Sequence, residues 1–136
     1  MPFSGAPEEV RERMTRIRKR DTRPEMIVRR LAHRLGFRFR LHRRDLPGTP
    51  DLVFPRLRKV IFVHGCFWHQ HGCSLGRNQP KARPEYWLPK LARNVARDDV
   101  ARDELVRQGW DVLVVWECET KQQELLEKRV RHFLSH

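Results

Sequence analysis

The sequence predicts an α/β domain in which helices flank a mixed central sheet. Two dense apolar runs, residues 60–63 and 112–116, have the length of buried strands. Between them, residues 84–108 have the composition of a helix, and a glycine follows directly. Alternation of strands and helices is typical of α/β folds. A chain of 136 residues can bury one such core, so we expect a single domain.

The charge balance indicates a polyanionic partner. Lysine and arginine number 29 against 17 aspartate and glutamate residues, which gives a formal net charge of +12. A field of that sign attracts nucleic acid. The sequence contains neither an apolar run of roughly 20 residues, which a membrane span needs, nor a signal-peptide pattern at its start. We therefore expect a cytoplasmic, nucleoid-associated protein that does not bind membranes.

The first 20 residues are strongly basic. Within them, residues 7–19 carry a thin apolar series around Met14 at helical spacing. This helix can be a solvated face packed on its few apolar side chains. Alternatively, it is an arm that lies on DNA phosphates, with Met14 placed to wedge into a groove. We assign residues 1–20 to a DNA-contacting arm and residues 21–136 to the folded domain.

The first element of the domain is a predicted helix over residues 23–35 that stops at Gly36. Thr22 lies three residues before Glu25, which is the spacing of a capping box, and Pro24 is tolerated in a first turn. Taken alone, Glu25 is therefore a cap carboxylate.

Three short strands are predicted after this helix. Residues 37–41 alternate apolar and basic side chains, which indicates a half-buried strand with its basic face outward. After a turn rich in proline and glycine, residues 51–54 and 59–63 are expected to pair as an antiparallel hairpin. That pairing brings Asp51, at the start of one strand, close to residues 63–64 at the end of the other.

A dense group of sulfur and nitrogen donors follows the first apolar strand. It contains Cys66, His71 and Cys73, and Cys118 ends the second apolar strand. If those strands are neighbours, the four side chains complete a structural Cys3His zinc site with no position open for water. Two alternatives stay open. The cysteines can be buried core thiols beside an incidental histidine, or His69 can replace His71 as the ligand.

Two further helices complete the predicted fold. Residues 84–108 form one long helix or a helix pair, on which Lys90, Asn94 and Asp98 share a face. Residues 120–134 form a closing amphipathic helix. Its inward side chains are expected to be Leu125, Leu126, Val130, Phe133 and Leu134. Four histidines are interpreted as surface residues: His33, His42, His132 and His136.

The most specific signal is a set of long motifs. They read Leu46-Pro47-Gly48-x-Pro50-Asp51, then Val60-Ile61-Phe62-x-His64-Gly65-Cys66-Phe67-Trp68-His69-x-His71-x-Cys73, and Val115-Trp116-Glu117-Cys118. This set resembles the very-short-patch mismatch repair endonucleases, a branch of the PD-(D/E)XK nucleases, and the likeness covers nearly the whole chain. Most PD-(D/E)XK nucleases carry an acidic-x-Lys pattern where this chain has Phe62-Val63-His64.

The resemblance implies a restriction-endonuclease-like fold and an enzyme. It implies Mg²⁺-dependent nicking of duplex DNA 5′ to the T of a T·G mismatch, which arises when 5-methylcytosine deaminates. Asp51 and the backbone carbonyl of Val63 would hold Mg²⁺, a cation that prefers oxygen ligands, and Glu25 would orient a water molecule. His64 would act at the phosphate and His69 as general acid or base, although these two roles could be exchanged.

The resemblance also implies how DNA is recognised. Phe67 and Trp68 would insert between base pairs beside the mismatch, with Met14 helping from the opposite groove. Lys90 and Asn94 would contact the mismatched bases. Core packing of the two aromatic residues and a solvated helix face remain alternatives.

Partners and competing functions complete the expectations. A single asymmetric lesion needs only a monomer, and the resemblance links the chain to a cytosine-5 DNA methyltransferase and to downstream repair proteins. Two other functions stay open. One is a zinc-stabilised module that binds distorted DNA without cutting it, and the other is a nicking endonuclease of relaxed specificity.

Overall fold

The structure is a computed structural model that describes residues 21–66, 69, 71 and 83–136. Its elements, in chain order, are α1 (Arg23–Arg34), β1 (Arg40–Leu41), β2 (Leu52–Phe54), β3 (Lys59–His64), α2 (Pro84–Arg107), β4 (Asp111–Trp116) and α3 (Gln123–Ser135). A 3-10 helix at Glu117–Lys121 connects β4 to α3. The predicted basic arm at residues 1–20 lies outside the described residues. None of the described helices combines the length and apolar character needed to cross a bilayer.

The four strands form one mixed sheet in the order β1-β2-β3-β4. β2 is antiparallel to both of its neighbours, β1 and β3, whereas β3 and β4 are parallel. Val63 pairs with Val115, and His64 pairs with Trp116. The chain returns from β3 to β4 through α2, because parallel neighbours need a long crossover. The predicted mixed α/β architecture and the side-by-side placement of the two apolar strands are confirmed.

Alternating side chains give the sheet two buried faces. One face packs against α1 and α3, whose inward residues include Leu31 and Val130. The other face packs against α2 through Leu105 and against Trp110. Because helices cover both faces, strand β3 is apolar between its two polar ends, Lys59 and His64.

Helix α1 begins and ends where local signals place it. The side chain of Thr22 accepts a hydrogen bond from the backbone of Glu25 at 3.3 Å. Gly36 adopts a φ of +91°, a left-handed conformation that favours glycine after a helix. The Glu25 carboxylate does not complete the predicted capping box, because its Oε1 accepts from the backbone of Asp21 at 3.2 Å instead.

Two predicted features are wrong in detail. The strand expected at residues 37–41 is paired only over Arg40–Leu41. Extending its register would place Arg38 opposite Pro55, which has no N–H to donate. Leu125 does not face the core and is 62% exposed, because α3 begins at Gln123 and buries Leu126, Val130 and Leu134, spaced by four.

Candidate active site

The site lies where β2 begins and β3 ends. Asp51 directly precedes β2, and its Oδ2 accepts a hydrogen bond from the backbone N–H of Val63 at 2.7 Å. The antiparallel register of β2 and β3 brings these residues together, as the predicted hairpin required. One main-chain donor therefore fixes the orientation of the Asp51 carboxyl group.

Asp51 is an unusual carboxyl group because its side chain is only 15% exposed. Burial raises its pKa to about 7, against the opposing effect of the hydrogen bond from Val63, and the nearby charge of Glu25 adds to the rise. A carboxylate whose charge is disfavoured in this way is stabilised by a bound cation. Asp51 thus fits the oxygen donor expected for Mg²⁺.

Glu25 is held beside Asp51 by two basic side chains. The Glu25 side chain is only 2% exposed, and its Oε2 contacts both the Arg29 guanidinium and His42 Nε2, the latter at 2.8 Å. Arg29 also pairs with Asp21. A buried carboxylate requires such partners, since an uncompensated buried charge is costly.

The interpretation of His42 as a surface residue is wrong. Its side chain is 14% exposed, and its Nε2 lies 3.9 Å from Asp51 Oδ1 as well as close to Glu25. His42 has a φ of +48°, so the chain turns sharply at the end of β1. The alternating pattern that ends at Leu41 carries no signal of this turn. Sequence reasoning also missed Arg29, which is one of many arginines in α1.

His64 and His69 form the other half of the site. Their rings are stacked, with centroids 3.8 Å apart. His69 Nδ1 is hydrogen-bonded to a carboxylate oxygen of Asp98 on α2. Burial, with a smaller contribution from the neighbouring His69, lowers the pKa of His64 to about 4. His64 is therefore neutral at pH 7, and its buried Nδ1 has no hydrogen-bond partner within the part of the chain that the structure describes.

Both halves open into one cleft of about 330 Å³. Its functional lining consists of His42, Asp51, Val63, His64, His69 and Asp98. A carboxylate group and a histidine pair therefore face a shared space that a phosphate group can enter.

Gly48 joins the loop before Asp51 to α2. It adopts a φ of +74°, and a Cβ built on it would lie 2.8 Å from the Cβ of Ala101 and 3.1 Å from the ring of Phe62. A residue without a side chain is therefore required by both backbone conformation and space. This contact fixes the distance between the Asp51 loop and the helix that carries Asp98.

Two thiols and an imidazole meet at the ends of β3 and β4. His71 Nδ1 lies 3.7 Å from Cys66 Sγ and 3.5 Å from Cys118 Sγ. A tetrahedral zinc ion with ordinary bond lengths would hold sulfur and nitrogen about 3.6 Å apart, so this donor set fits zinc. His71, not His69, lies beside the cysteines. The fourth expected ligand, Cys73, lies outside the described residues.

Comparisons with known proteins agree with the motifs. The sequence profile of a family described as DNA mismatch endonuclease Vsr matches residues 6–75. The chain is 54% identical over 129 residues to the type II nicking enzyme V.XorIIP of Xanthomonas oryzae pv. oryzae. The aligned residues make up 95% of this chain and 94% of that protein. The chain belongs to the Vsr family of DNA mismatch endonucleases. DNA mismatch endonuclease Vsr of Escherichia coli is 47% identical over 110 residues, 77% of this chain and 69% of that protein.

In this Vsr-family chain, Trp116 connects the thiol cluster to the histidine pair. Its ring is stacked on His71 at 4.2 Å between centroids, with 10° between the planes. Its edge meets His64 at 5.3 Å. One aromatic side chain, Trp116, therefore contacts both the thiol cluster and a candidate catalytic residue.

The residues expected to recognise DNA are only partly described. Lys90 and Asn94 precede Asp98 by eight and four residues on α2, so the three share a helical face. Asn94 Oδ1 accepts a hydrogen bond from Arg97 at 2.5 Å. Because Asp98 contacts His69, this face leads from the cleft along α2. Met14, Phe67 and Trp68 lie outside the described residues.

Proposed function

We propose that this chain is a Mg²⁺-dependent endonuclease that nicks one strand of duplex DNA 5′ to the T of a T·G mismatch, the product of 5-methylcytosine deamination. The main support for this proposal is the shared cleft, in which Asp51 faces a stacked histidine pair oriented by Asp98. Membership of the Vsr family and the net charge of +12 support DNA as the substrate.

The cation would be held by Asp51 and the backbone carbonyl of Val63. Both are oxygen donors of the kind that Mg²⁺ prefers, and the raised pKa of Asp51 indicates a carboxyl group that gains from a positive partner. Bound Mg²⁺ supplies charge stabilisation at the scissile phosphate. Glu25, fixed by Arg29 and His42, orients the attacking water.

The two histidines take different roles. Asp98 holds His69 at Nδ1, which leaves Nε2 for proton exchange with the reacting oxygens, as in other oriented histidine bases. His64 has a lowered pKa and is neutral, so it does not deliver a proton at pH 7. His64 lines the cleft, and a neutral imidazole carries one N–H that can donate to a phosphate oxygen. We assign proton transfer to His69 and phosphate contact to His64.

A structural zinc ion would hold the loop that carries His69. Its ligands would be Cys66, His71, Cys73 and Cys118, of which the structure describes three in fitting positions. The ion would restrict the chain around His69 and so keep the ring against His64. Its role is positional, because four protein ligands leave no site for water.

We assign mismatch recognition to the two aromatic residues of the long motif, to Met14 and to the exposed face of α2. Phe67 and Trp68 would unstack the base pairs beside the mismatch, with Met14 in the opposite groove. Lys90 and Asn94 would read the wobble pair from the face of α2. A monomer suffices for one lesion, and a cytosine-5 DNA methyltransferase would create the need for this repair.

A nicking assay on end-labelled duplexes tests the proposal. We expect the wild type to cut the T strand of a T·G duplex only with Mg²⁺, and Asp51→Ala to bind that duplex without cutting. Asp111→Ala, an exposed carboxylate at the other end of the sheet, is the matched control and should cut normally. Binding without any cut by the wild type would identify a binding module, and equal cutting of a matched C·G duplex would identify relaxed specificity.

A further inference from the structure

We propose that His42 is a positioning residue that orients the buried carboxylates of Glu25 and Asp51 for cation binding. This inference rests on the cation site of the proposed function. His42 is not part of the motif that carries the catalytic candidates, and it lies on the opposite side of Asp51 from Val63.

Two separate contacts fix His42 to the site. Its backbone N–H donates to the backbone oxygen of Asp51 at 3.2 Å. Its side-chain Nε2 lies 2.8 Å from Glu25 Oε2 and 3.9 Å from Asp51 Oδ1. The residue therefore links Asp51, directly before β2, to the first turn of α1, which carries Glu25.

The backbone of His42 is held in an uncommon conformation. Its φ of +48° is rare for a residue with a side chain, and Thr49, at the other end of the same loop, has the same φ. Such strain persists only where the surroundings impose it, and it is concentrated at functional sites. The conformation turns the imidazole inward, where a surface histidine would point outward.

The donors around Glu25 explain why this orientation matters. Oε1 accepts from Asp21, and Oε2 faces Arg29 and His42, so the carboxylate is held on both oxygens. Without His42, Glu25 can rotate toward Arg29, away from the water molecule that it would orient at the cation. Hydrogen-bond partners of metal-site carboxylates commonly change metal affinity by about 10- to 100-fold when removed.

Equilibrium Mn²⁺ binding to the DNA-free protein, followed by electron paramagnetic resonance, tests the inference. We expect His42→Leu to weaken Mn²⁺ binding about 10-fold or more. His42→Gln, which keeps an N–H donor, should restore most of the affinity. His33→Leu, an exposed histidine of α1, is the matched control and should bind like the wild type.

A double-mutant cycle separates positioning from general destabilisation. If His42 acts through the carboxylates, His42→Leu should weaken Mn²⁺ binding much less in a Glu25→Gln background than in the wild type. If His42→Leu does not fold, His42→Asn replaces it, since asparagine tolerates left-handed backbone and is too short to span the same distance.

The outcomes are distinct. Unchanged Mn²⁺ affinity in a folded His42→Leu protein overturns the inference, as does a His42→Gln protein that binds no better than His42→Leu. A wild type that cuts no T·G duplex, together with the expected Mn²⁺ series, overturns the proposed function and leaves the role of His42 intact.

Discussion

The imidazole rings of His64 and His69 lie 3.8 Å apart at their centroids, with only 4° between their planes. After burial, the neighbouring His69 is the second cause of the lowered pKa of His64. Asp98 is hydrogen-bonded to His69 Nδ1, which fixes the orientation of that ring. The stack therefore gives two identical side chains different chemistry.

Asp98→Asn should lower the nicking rate while leaving DNA affinity nearly unchanged. The amide keeps the size of the side chain but no longer offers a carboxylate that holds His69 Nδ1, and loss of an orienting carboxylate typically costs about 10²- to 10⁴-fold in rate. Single-turnover nicking and equilibrium binding to one T·G duplex measure the two effects. Asp99→Asn is the control, since Asp99 pairs with Arg102 at the surface; an equal rate loss there would contradict the assignment.

His64 should make the protein less stable in acid. Its pKa is lowered from 6.5 to about 4, so the folded state disfavours the proton that the unfolded state accepts. The stability it contributes is present above pH 6.5 and is lost as the pH falls through 4. His64→Gln cannot gain that charge, so we expect its urea midpoint to fall less than that of the wild type between pH 6.5 and 4. If the urea midpoints of the two proteins fell equally over this pH range, protonation of His64 would not contribute to the loss of stability.

Asp51 should have the opposite pH dependence. Its pKa is raised from 3.8 to about 7, so its contribution to stability is present below pH 3.8 and is lost as the pH rises through 7. In Mg²⁺-free buffer, we expect Asp51→Asn to unfold at a higher temperature than the wild type at pH 8, with the difference shrinking toward pH 4. Added Mg²⁺ should raise the melting temperature of the wild type and not that of the variant.

Cys118→Ser should release zinc. The purified wild type should contain about one zinc ion per chain, and a structural site depends on all four ligands. Metal analysis and thermal unfolding measure the effect, and Lys121→Ser, an exposed residue of the same 3-10 helix, is the control. A wild type that contains no zinc and keeps its stability in chelator would refute the site.

Gly48→Ala should destabilise the protein and slow nicking. The new Cβ would face strain from a φ of +74° and a 2.8 Å contact with Ala101. Gly36→Ala has a comparable φ of +91° with nothing within 4 Å, so it measures the backbone cost alone, about 1 kcal/mol. In urea unfolding, we expect Gly48→Ala to lower the free energy of unfolding more than Gly36→Ala does. Adding Ala101→Gly to the Gly48→Ala variant should recover part of that difference. Equal destabilisation at both glycines would exclude the contact as a cause.

Elements governed by local signals were predictable from the sequence. The first turn of α1 follows from Thr22 and its end from Gly36, and the hairpin that brings Asp51 to Val63 follows from turn residues and apolar runs. Side-chain spacing also placed Cys66 and Cys118 together once the two apolar strands were neighbours. The first two inferences depend on contacts within a short stretch of chain, and the third depends on the pairing of the two most apolar strands.

Features that depend on docking between distant elements were not predictable. The pairing of His69 with Asp98 requires the position of α2 over the sheet, which no periodicity encodes. His42 enters the site through a left-handed backbone at the end of β1, and its neighbours give no indication of that turn. Leu125 faces solvent because the 3-10 helix delays the start of α3.

The parallel arrangement of β3 and β4 has a consequence for the order of folding. His71 and Cys118 are 47 residues apart in the chain, and the intervening segment includes all of α2. Closing a loop of that size costs chain entropy before any ion can bridge its ends. A zinc ion at this site would therefore gain Cys118 as a ligand only once β3 and β4 are paired, and it would then oppose separation of those two strands.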